Sequence, residues 1–92
     1  SFVSSTIVNN SSILVYPNPT NNFVVIENEF YNLTSEYAIE IVNISGQVVY
    51  TSSLDFPTLE ISLEDIGESG VYLIHIKDYD NNILVTKYLI VN

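Results

Sequence analysis

Apolar and polar residues alternate at a period of two in several short segments, and turn-forming residues separate these segments. This is the pattern of β-strands that bury one face. The clearest segment is residues 70–77, where Tyr72, Ile74 and Ile76 fall on one side and more polar positions such as His75 fall on the other. We therefore expect residues 70–77 to form the central strand of the fold.

The residues just before and within this strand have the order of a tyrosine corner. Residues 68–72 read Glu-Ser-Gly-Val-Tyr, so that Tyr72 stands near the start of a strand that follows a tight turn. In a tyrosine corner, the hydroxyl of such a tyrosine bonds back to the preceding turn, and the motif is typical of two-sheet sandwiches. The sequence thus favours a β-sandwich.

Six further segments share the short length and the flanking turn residues of strands. The proline-rich residues 17–22 separate the first two, which we expect to pair with each other. Gly46 suits a turn position with positive φ, and Ile66 is predicted to plug the core before the central strand. With residues 70–77, these segments predict an all-β, immunoglobulin-like antiparallel sandwich of about seven strands. The six segments are residues 13–16, 23–27, 37–43, 48–51, 59–63 and 83–91.

Composition indicates one small folded domain with a linker before it. Apolar residues make up 47% of the 92 residues and charged residues 14%, which is typical of a chain that folds. Residues 1–12 are rich in Ser, Thr and Asn, so we interpret them as the end of a linker from an upstream domain. Because the chain begins with Ser1, we expect it to be part of a longer protein. The domain itself is predicted at residues 13–92.

The charge balance argues against several classes of partner. Only Lys77 and Lys87 are cationic, and eleven carboxylates bring the formal net charge to −9. A phosphate backbone or an anionic membrane surface attracts clusters of Lys and Arg, so we expect neither nucleic acid nor membrane as a partner. No apolar run approaches the roughly 20 residues that span a bilayer, and no secretory signal peptide is visible.

Catalytic and metal-binding patterns are weak. His75 is the only histidine and cysteine is absent, so we expect no soft-metal site and no cofactor. No serine lies in a G-x-S-x-G turn, so a hydrolase is disfavoured. Asp78, Asp80 and Asn82 match the first three ligands of a calcium loop, but Ile83 stands where that loop requires glycine. Hairpin-turn chemistry explains these residues better than calcium.

The aromatic residues allow an alternative function. Exposed aromatic side chains on a sandwich can stack against sugar rings, which would make the domain a carbohydrate-binding or adhesive module. The candidates for such stacking are Tyr31, Tyr50, Tyr79 and Tyr88. They have no fixed spacing, and aromatic residues are also ordinary strand formers.

Four segments in this order resemble a known family, and the resemblance covers residues 13–92. On these segments the chain is similar to the C-terminal sorting domains of type IX secretion in Bacteroidota, which have an immunoglobulin-like fold. The segments are Val-Tyr-Pro-Asn-Pro-Thr at 15–20, Ile-Val-Asn-Ile-Ser-Gly-Gln-Val-Val at 41–49, Gly-Val-Tyr-Leu-Ile at 70–74 and Thr-Lys-Tyr-Leu-Ile-Val at 86–91.

The resemblance implies a non-catalytic secretion address attached to a larger cargo. The type IX outer-membrane translocon and its shuttle proteins would read the domain after the cargo reaches the periplasm. A cell-surface sortase would then remove it, with cleavage near residues 1–12, and could join the cargo to an anionic lipopolysaccharide. The cargo would be secreted or displayed on the surface of a Gram-negative bacterium.

The resemblance also assigns roles to individual residues. Lys87 matches the family's final-strand lysine and is the leading recognition candidate, because it is one of two cations on an acidic domain. The chain departs from the family at Asn43, where Asp is usual, and at residues 81–82, where Gly is usual. Of the motif residues, Gly46, Gly70 and Tyr72 are expected to determine the fold. The full set that the resemblance assigns to the family motif or fold is Tyr16, Pro17, Asn18, Pro19, Asn43, Gly46, Gly70 and Tyr72. The terminal strand, expected to be read by edge addition of a partner strand, comprises Lys87, Tyr88, Leu89, Ile90 and Val91.

Overall fold

The computed structural model describes residues 13–29, 37–54 and 56–92. Seven strands and a short 3₁₀ helix (Leu63–Asp65) lie within these residues. The strands are β1 (Ile13–Tyr16), β2 (Phe23–Asn28), β3 (Ala38–Asn43), β4 (Val48–Ser53), β5 (Thr58–Ser62), β6 (Gly70–Lys77) and β7 (Ile83–Val91).

The strands form two antiparallel sheets. One sheet has the order β1-β2-β5 and the other has the order β4-β3-β6-β7. The pairing of β1 with β2 runs across residues 17–22, which we call the proline turn. The predicted immunoglobulin-like sandwich of seven strands is confirmed, as is the pairing across the proline turn.

The expected central strand, β6, lies between β3 and β7 in the four-stranded sheet. Its residues Tyr72, Ile74 and Ile76 are buried, whereas Val71 on the other face is exposed. The alternation therefore identified both the strand and its inward face correctly.

The core lies between the two sheets and takes aliphatic side chains from both. Burial of each such side chain contributes on the order of 1.5–3 kcal/mol to folding, before the loss of chain entropy is counted. The predicted plug Ile66 is buried, and so is Leu54, which follows β4 and which the pattern does not predict. The fully buried aliphatic side chains are Ile13, Val24, Ile26, Ile39, Ile41, Leu54, Ile61, Ile74, Ile76, Val85 and Leu89.

The tyrosine corner is present. The Tyr72 hydroxyl donates a hydrogen bond of 2.6 Å to the Glu68 carbonyl oxygen. Gly67, with φ of +140°, lies beneath this hydroxyl, and a Cβ atom there would stand 2.9 Å from the Tyr72 oxygen. Glycine is therefore required at this position both by the backbone angle and by the close approach of the ring.

The hairpin between β3 and β4 closes as predicted. Gly46 has φ of +87°, and its N–H donates to the Asn43 carbonyl at 2.9 Å. The Asn43 side-chain oxygen accepts hydrogen bonds from the N–H groups of Ser45 (3.0 Å) and Gln47 (2.9 Å). Asn43 thus organises the turn through the side-chain chemistry typical of Asn and Asp.

Some local predictions differ from the structure. Leu63, expected at the end of a strand, instead begins the 3₁₀ helix, where the Ser62 hydroxyl accepts a hydrogen bond from the Glu64 N–H at 3.3 Å. Asn28, expected in a loop, ends β2 and is buried, because its side-chain amide donates to the Leu54 carbonyl at 3.1 Å.

Two other predictions, the linker at residues 1–12 and the sugar-stacking role of Tyr31, lie outside the described residues. Within residues 13–29, 37–54 and 56–92, no helix has the length and apolar character needed to cross a membrane.

Candidate functional site

The predicted recognition strand, β7, lies at one edge of the four-stranded sheet. Its side chains alternate between the core and the outer face of that sheet. Leu89 and Val91 are buried, Lys87 is half-buried, and Tyr88 and Ile90 are 67% and 42% exposed. Of the five predicted recognition residues, Lys87, Tyr88 and Ile90 therefore present side-chain surface to solvent in the folded domain.

Lys87 differs from the other cation in its surroundings. Its register partner is the buried Ile74 of β6, so its aliphatic stem lies on the inner face of an edge strand. The Lys77 ammonium lies 3.1 Å from a carboxylate oxygen of Glu40, whereas Lys87 forms no ion pair within the described part of the chain.

The proline turn packs along the outer edge of β7. The Asn18 side chain donates to the Tyr88 carbonyl and accepts from the Ile90 N–H, both at 2.9 Å. The Thr20 N–H donates to the Ile90 carbonyl at 2.9 Å, and the Thr20 carbonyl accepts from the Asn92 N–H at 2.8 Å. Four successive backbone groups on the β7 edge are therefore satisfied by the proline turn.

Asn18 and Thr20 contact β7 from different surroundings. Asn18 is exposed, while Thr20 is buried and its hydroxyl donates to the Phe23 carbonyl. The peptide bonds that precede Pro17 and Pro19 are both cis, which the sequence does not predict. Sequence reasoning also missed the roles of Asn18 and Thr20 toward β7, because their partners lie about 70 residues further along the chain. The available signal was an amide side chain fixed between two prolines, which can imitate a peptide group.

Tyr16, the first residue of the proline motif, bonds within its own sheet. Its hydroxyl donates to a carboxylate oxygen of Glu27 in β2. This hydrogen bond raises the pKa of Tyr16, and desolvation and the Glu27 charge raise that pKa further. The motif tyrosine thus supports the β1–β2 pair rather than the β7 edge.

His75 lies on the outer face of the four-stranded sheet, opposite in direction to Tyr72, as predicted. Its Nδ1 atom is 3.9 Å from a carboxylate oxygen of Glu40 and has no hydrogen-bond partner within the described residues. Its register partners are Glu40 of β3 and Thr86 of β7.

The loop between β6 and β7 is organised by hydrogen bonds within itself. The Asp78 carboxylate accepts from the Asn82 N–H at 2.9 Å and from the Asn82 side-chain amide at 3.3 Å. The backbone hydrogen bond from Asn82 is the main cause that lowers the pKa of Asp78. Asn81 has φ of +72°, a value that Asn tolerates better than most residues. Across the described ranges, no three His, Cys, Asp or Glu side chains cluster to hold a metal ion.

A shallow open cleft of about 390 Å³ lies at the far end of the three-stranded sheet, and Phe23, Glu60 and Asp65 are among its lining residues. Its lining includes Ser62 and no histidine, so the cleft does not hold the paired serine and histidine of a Ser-His hydrolase.

The described tyrosines do not form one sugar-stacking platform. Tyr50 packs against the core, whereas Tyr79 is 82% exposed in the loop before β7. Tyr88 lies on the outer face of the sheet, nine residues after Tyr79 and near the other end of β7. A flat sugar-binding surface requires neighbouring aromatic rings, and the fold separates these three.

Comparison with known families identifies the domain. The profile described as the secretion system C-terminal sorting domain matches residues 14–92 of this chain. The chain belongs to this family of sorting domains. The match includes the proline turn and all of β7, so the two segments that meet at the sheet edge both lie within the family's boundaries. The family resemblance of the four sequence motifs is thereby confirmed, including its assignment to type IX secretion.

A curated relative places such a sorting domain in a larger protein. Over 82 residues the chain is 35% identical to the protein named ulvan lyase NLR42 of Nonlabens ulvanivorans. The aligned region covers 89% of this chain and 15% of that protein. The sorting domain therefore spans a small part of this relative's length.

A solved structure shares the fold of the sorting domain. The structure of PorZ, described as an essential bacterial surface component of the type-IX secretion system of Porphyromonas gingivalis, superposes with a TM-score of 0.68. It covers 89% of this chain and 12% of the PorZ chain, at 19% sequence identity. At this identity, the similarity shows the fold alone.

Proposed function

We propose that this sorting domain is the non-catalytic export address of a larger protein, which type IX secretion carries across the outer membrane to the cell surface or medium. The observation that carries the proposal is the family match over residues 14–92, which includes every described strand residue except Ile13. We further propose that the cargo precedes the domain in the same chain.

The secretion machinery reads the domain at β7 and the adjoining proline turn. Tyr88 supplies an exposed aromatic ring, and the Lys87 ammonium supplies a charge without an ion-pair partner within the described residues. Aromatic residues are frequent anchors of protein interfaces. The proposed receptor therefore offers an apolar pocket for Tyr88 and an acidic group for Lys87.

We revise the part of β7 at which a partner strand adds to the sheet edge. The backbone groups of β7 from the Tyr88 carbonyl to the Asn92 N–H already bond to Asn18 and Thr20. A partner strand has access to the β7 edge only before Tyr88, around Thr86, unless the proline turn moves. Recognition along residues 87–91 thus rests on side chains in the folded domain.

Removal of the domain follows export in this proposal. A cell-surface sortase cleaves near residues 1–12 and transfers the cargo to a surface lipopolysaccharide or releases it. The family match supports the address function on which this step depends. Mass spectrometry of the exported cargo tests the step: a new C-terminus within or before residues 1–12 is expected, and an intact domain on the exported protein would contradict cleavage.

A fusion experiment tests the address function. The 92-residue chain is joined to the C-terminus of a periplasm-targeted fluorescent protein in a Bacteroidota host, beside a strain that lacks the type IX translocon. Fluorescence is measured in the medium, on the cell surface and in the periplasm. Export in the competent strain alone is the expected result. Periplasmic retention of the intact, folded fusion in both strains would overturn the proposal and direct attention to glycan binding.

A further inference from the structure

The outer edge of β7 has the properties of a self-pairing strand. β7 is nine residues long and lies at the end of the sheet order, with β6 on one side only. Successive residues of a strand direct their backbone groups to alternate edges, so Thr86, Tyr88 and Ile90 all point their N–H and C=O groups away from β6. An unprotected row of such groups is a template for pairing with another strand.

The chemistry of β7 makes a second copy of the chain the partner that fits this edge. Ile83–Val91 contains Lys87 and no carboxylate, although the chain carries eleven carboxylates, so no negative charge of this strand opposes the approach of a second copy. Two antiparallel copies of one strand also present matching donors and acceptors to each other. The exposed side chains of Leu84, Tyr88 and Ile90 would pack beside their counterparts on the joined sheet face.

We propose that the proline turn is a strap that keeps the β7 edge from pairing with β7 of a second copy. The Asn18 side-chain amide replaces a peptide group of a neighbouring strand. It donates to the Tyr88 carbonyl and accepts from the Ile90 N–H, as such a peptide group would. Thr20 extends this cover to the Ile90 carbonyl and the Asn92 N–H through its own backbone. The strap leaves no continuous row of unpaired groups along residues 88–92. This role is distinct from the proposed export function, since it concerns the association state of the isolated domain.

The contacts that Asn18 and Thr20 make to β7 differ in whether a single substitution removes them. The Thr20 contacts use backbone atoms next to a buried side chain, so they persist in any folded variant. The Asn18 contacts use an exposed side chain, and Asn18→Ala removes both. This single substitution leaves the outward backbone groups of β7 unpaired from Thr86 to the Ile90 N–H.

The test measures the mass of the full 92-residue chain in solution over a concentration series, by light scattering coupled to gel filtration. We expect the wild-type chain to remain a monomer and Asn18→Ala to shift to a dimer as concentration rises. Asn21→Ala is the matched control, because Asn21 is an exposed residue of the same turn with no hydrogen bond to β7, and it is expected to stay monomeric. Thr86→Pro in the Asn18→Ala background removes an outward donor and is expected to restore the monomer.

Three results would overturn the strap. One is an Asn18→Ala chain that unfolds cooperatively yet remains a monomer at every concentration. The second is dimerisation of Asn21→Ala to the same extent, and the third is a dimer that persists with Thr86→Pro. If Asn18→Ala does not fold, Asn18→Ser takes its place, because the shorter uncharged side chain cannot bridge the Tyr88 carbonyl and the Ile90 N–H. A folded Asn18→Ser chain is expected to dimerise, and a monomer would contradict the proposal.

Discussion

Among single residues, Tyr72 makes the most direct link between sequence motif and fold. Replacing it with Phe keeps the ring in the core and removes the hydrogen bond to the Glu68 carbonyl. We expect Tyr72→Phe to lower the free energy of unfolding by about 1–2 kcal/mol, the usual cost of leaving such an acceptor unpaired. Urea unfolding measures this difference.

Tyr88→Phe is the matched control for this change. Tyr88 is 67% exposed, so removal of its hydroxyl is expected to alter stability by less than about 0.5 kcal/mol. Equal effects of the two substitutions would show that the tyrosine corner does not stabilise the turn.

Asn43 occupies a turn position at which the sequence resemblance implies Asp. Its side-chain oxygen organises the β3–β4 turn by accepting from Ser45 and Gln47, and an Asp oxygen would accept in the same way. We expect Asn43→Ala to lower the unfolding free energy by about 1–2 kcal/mol through the loss of both bonds. Asn43→Asp is expected to retain most of the stability, because Asp keeps both backbone bonds and accepts from the Gln47 amide where Asn43 donates to it at 2.9 Å. Thermal unfolding of the two variants ranks them, and an Asp variant no more stable than the Ala variant would contradict this role.

Residue roles were predictable where partners are close in sequence. Tyr72 and Gly46 act on turns within a few residues, so local spacing identified them. The Asn18 side chain bonds to Tyr88, 70 positions further along the chain, and no local sequence pattern predicts such a contact. The hydrogen-bonding role of the proline motif toward β7 could therefore be found only in the folded chain.

At the level of elements, the loop between β6 and β7 makes stability depend on pH. Hydrogen bonds from Asn82 lower the pKa of Asp78 below its ordinary value of 3.8. A carboxyl with a depressed folded-state pKa contributes stability above its unfolded pKa, and loses that contribution as pH falls through its folded pKa. We expect the stability advantage of wild type over Asp78→Asn to be present near neutral pH and to shrink below about pH 3.8.

Chemical unfolding at a series of pH values measures this advantage. Asp80→Asn provides the control for net charge, since it removes a carboxylate from the same loop and leaves the bonds between Asp78 and Asn82 in place. An advantage that does not change on acidification would show that Asp78 does not stabilise the loop.

The strands themselves followed closely from alternation, and their ends followed less well. Leu63 continued the apolar pattern of β5, yet the Ser62 cap and the acidic residues after it favour a helical turn. Asn28 looked like a loop residue by composition, but hydrogen bonds to the chain around Leu54 satisfy its amide in the core. At both strand ends, contacts of side-chain polar groups decided the outcome over periodicity.

In the whole molecule, the sandwich brings into contact motifs that lie near the two ends of the domain's sequence. The proline turn follows β1, and β7 is the last strand of the described residues. A parallel bridge between Thr20 and Val91 joins the two segments at one sheet edge. The number of strands and the all-β class could be predicted because seven apolar segments alternate with turns. The meeting of the proline turn with β7 could not, because it depends on how the two sheets are placed.

The central claim is that this edge is an export address, and a pair of matched tyrosine variants tests it most directly. Tyr88→Ser and Tyr79→Ser each remove one exposed ring, the first from β7 and the second from the preceding loop. Export of the fluorescent fusion to the 92-residue chain is measured for both in the same competent strain, with folding checked in the periplasm. We expect Tyr88→Ser to reduce export by about tenfold or more, as loss of an interface anchor does, and Tyr79→Ser to be exported like wild type. Equal export of a folded Tyr88→Ser fusion and wild type would contradict recognition at this edge.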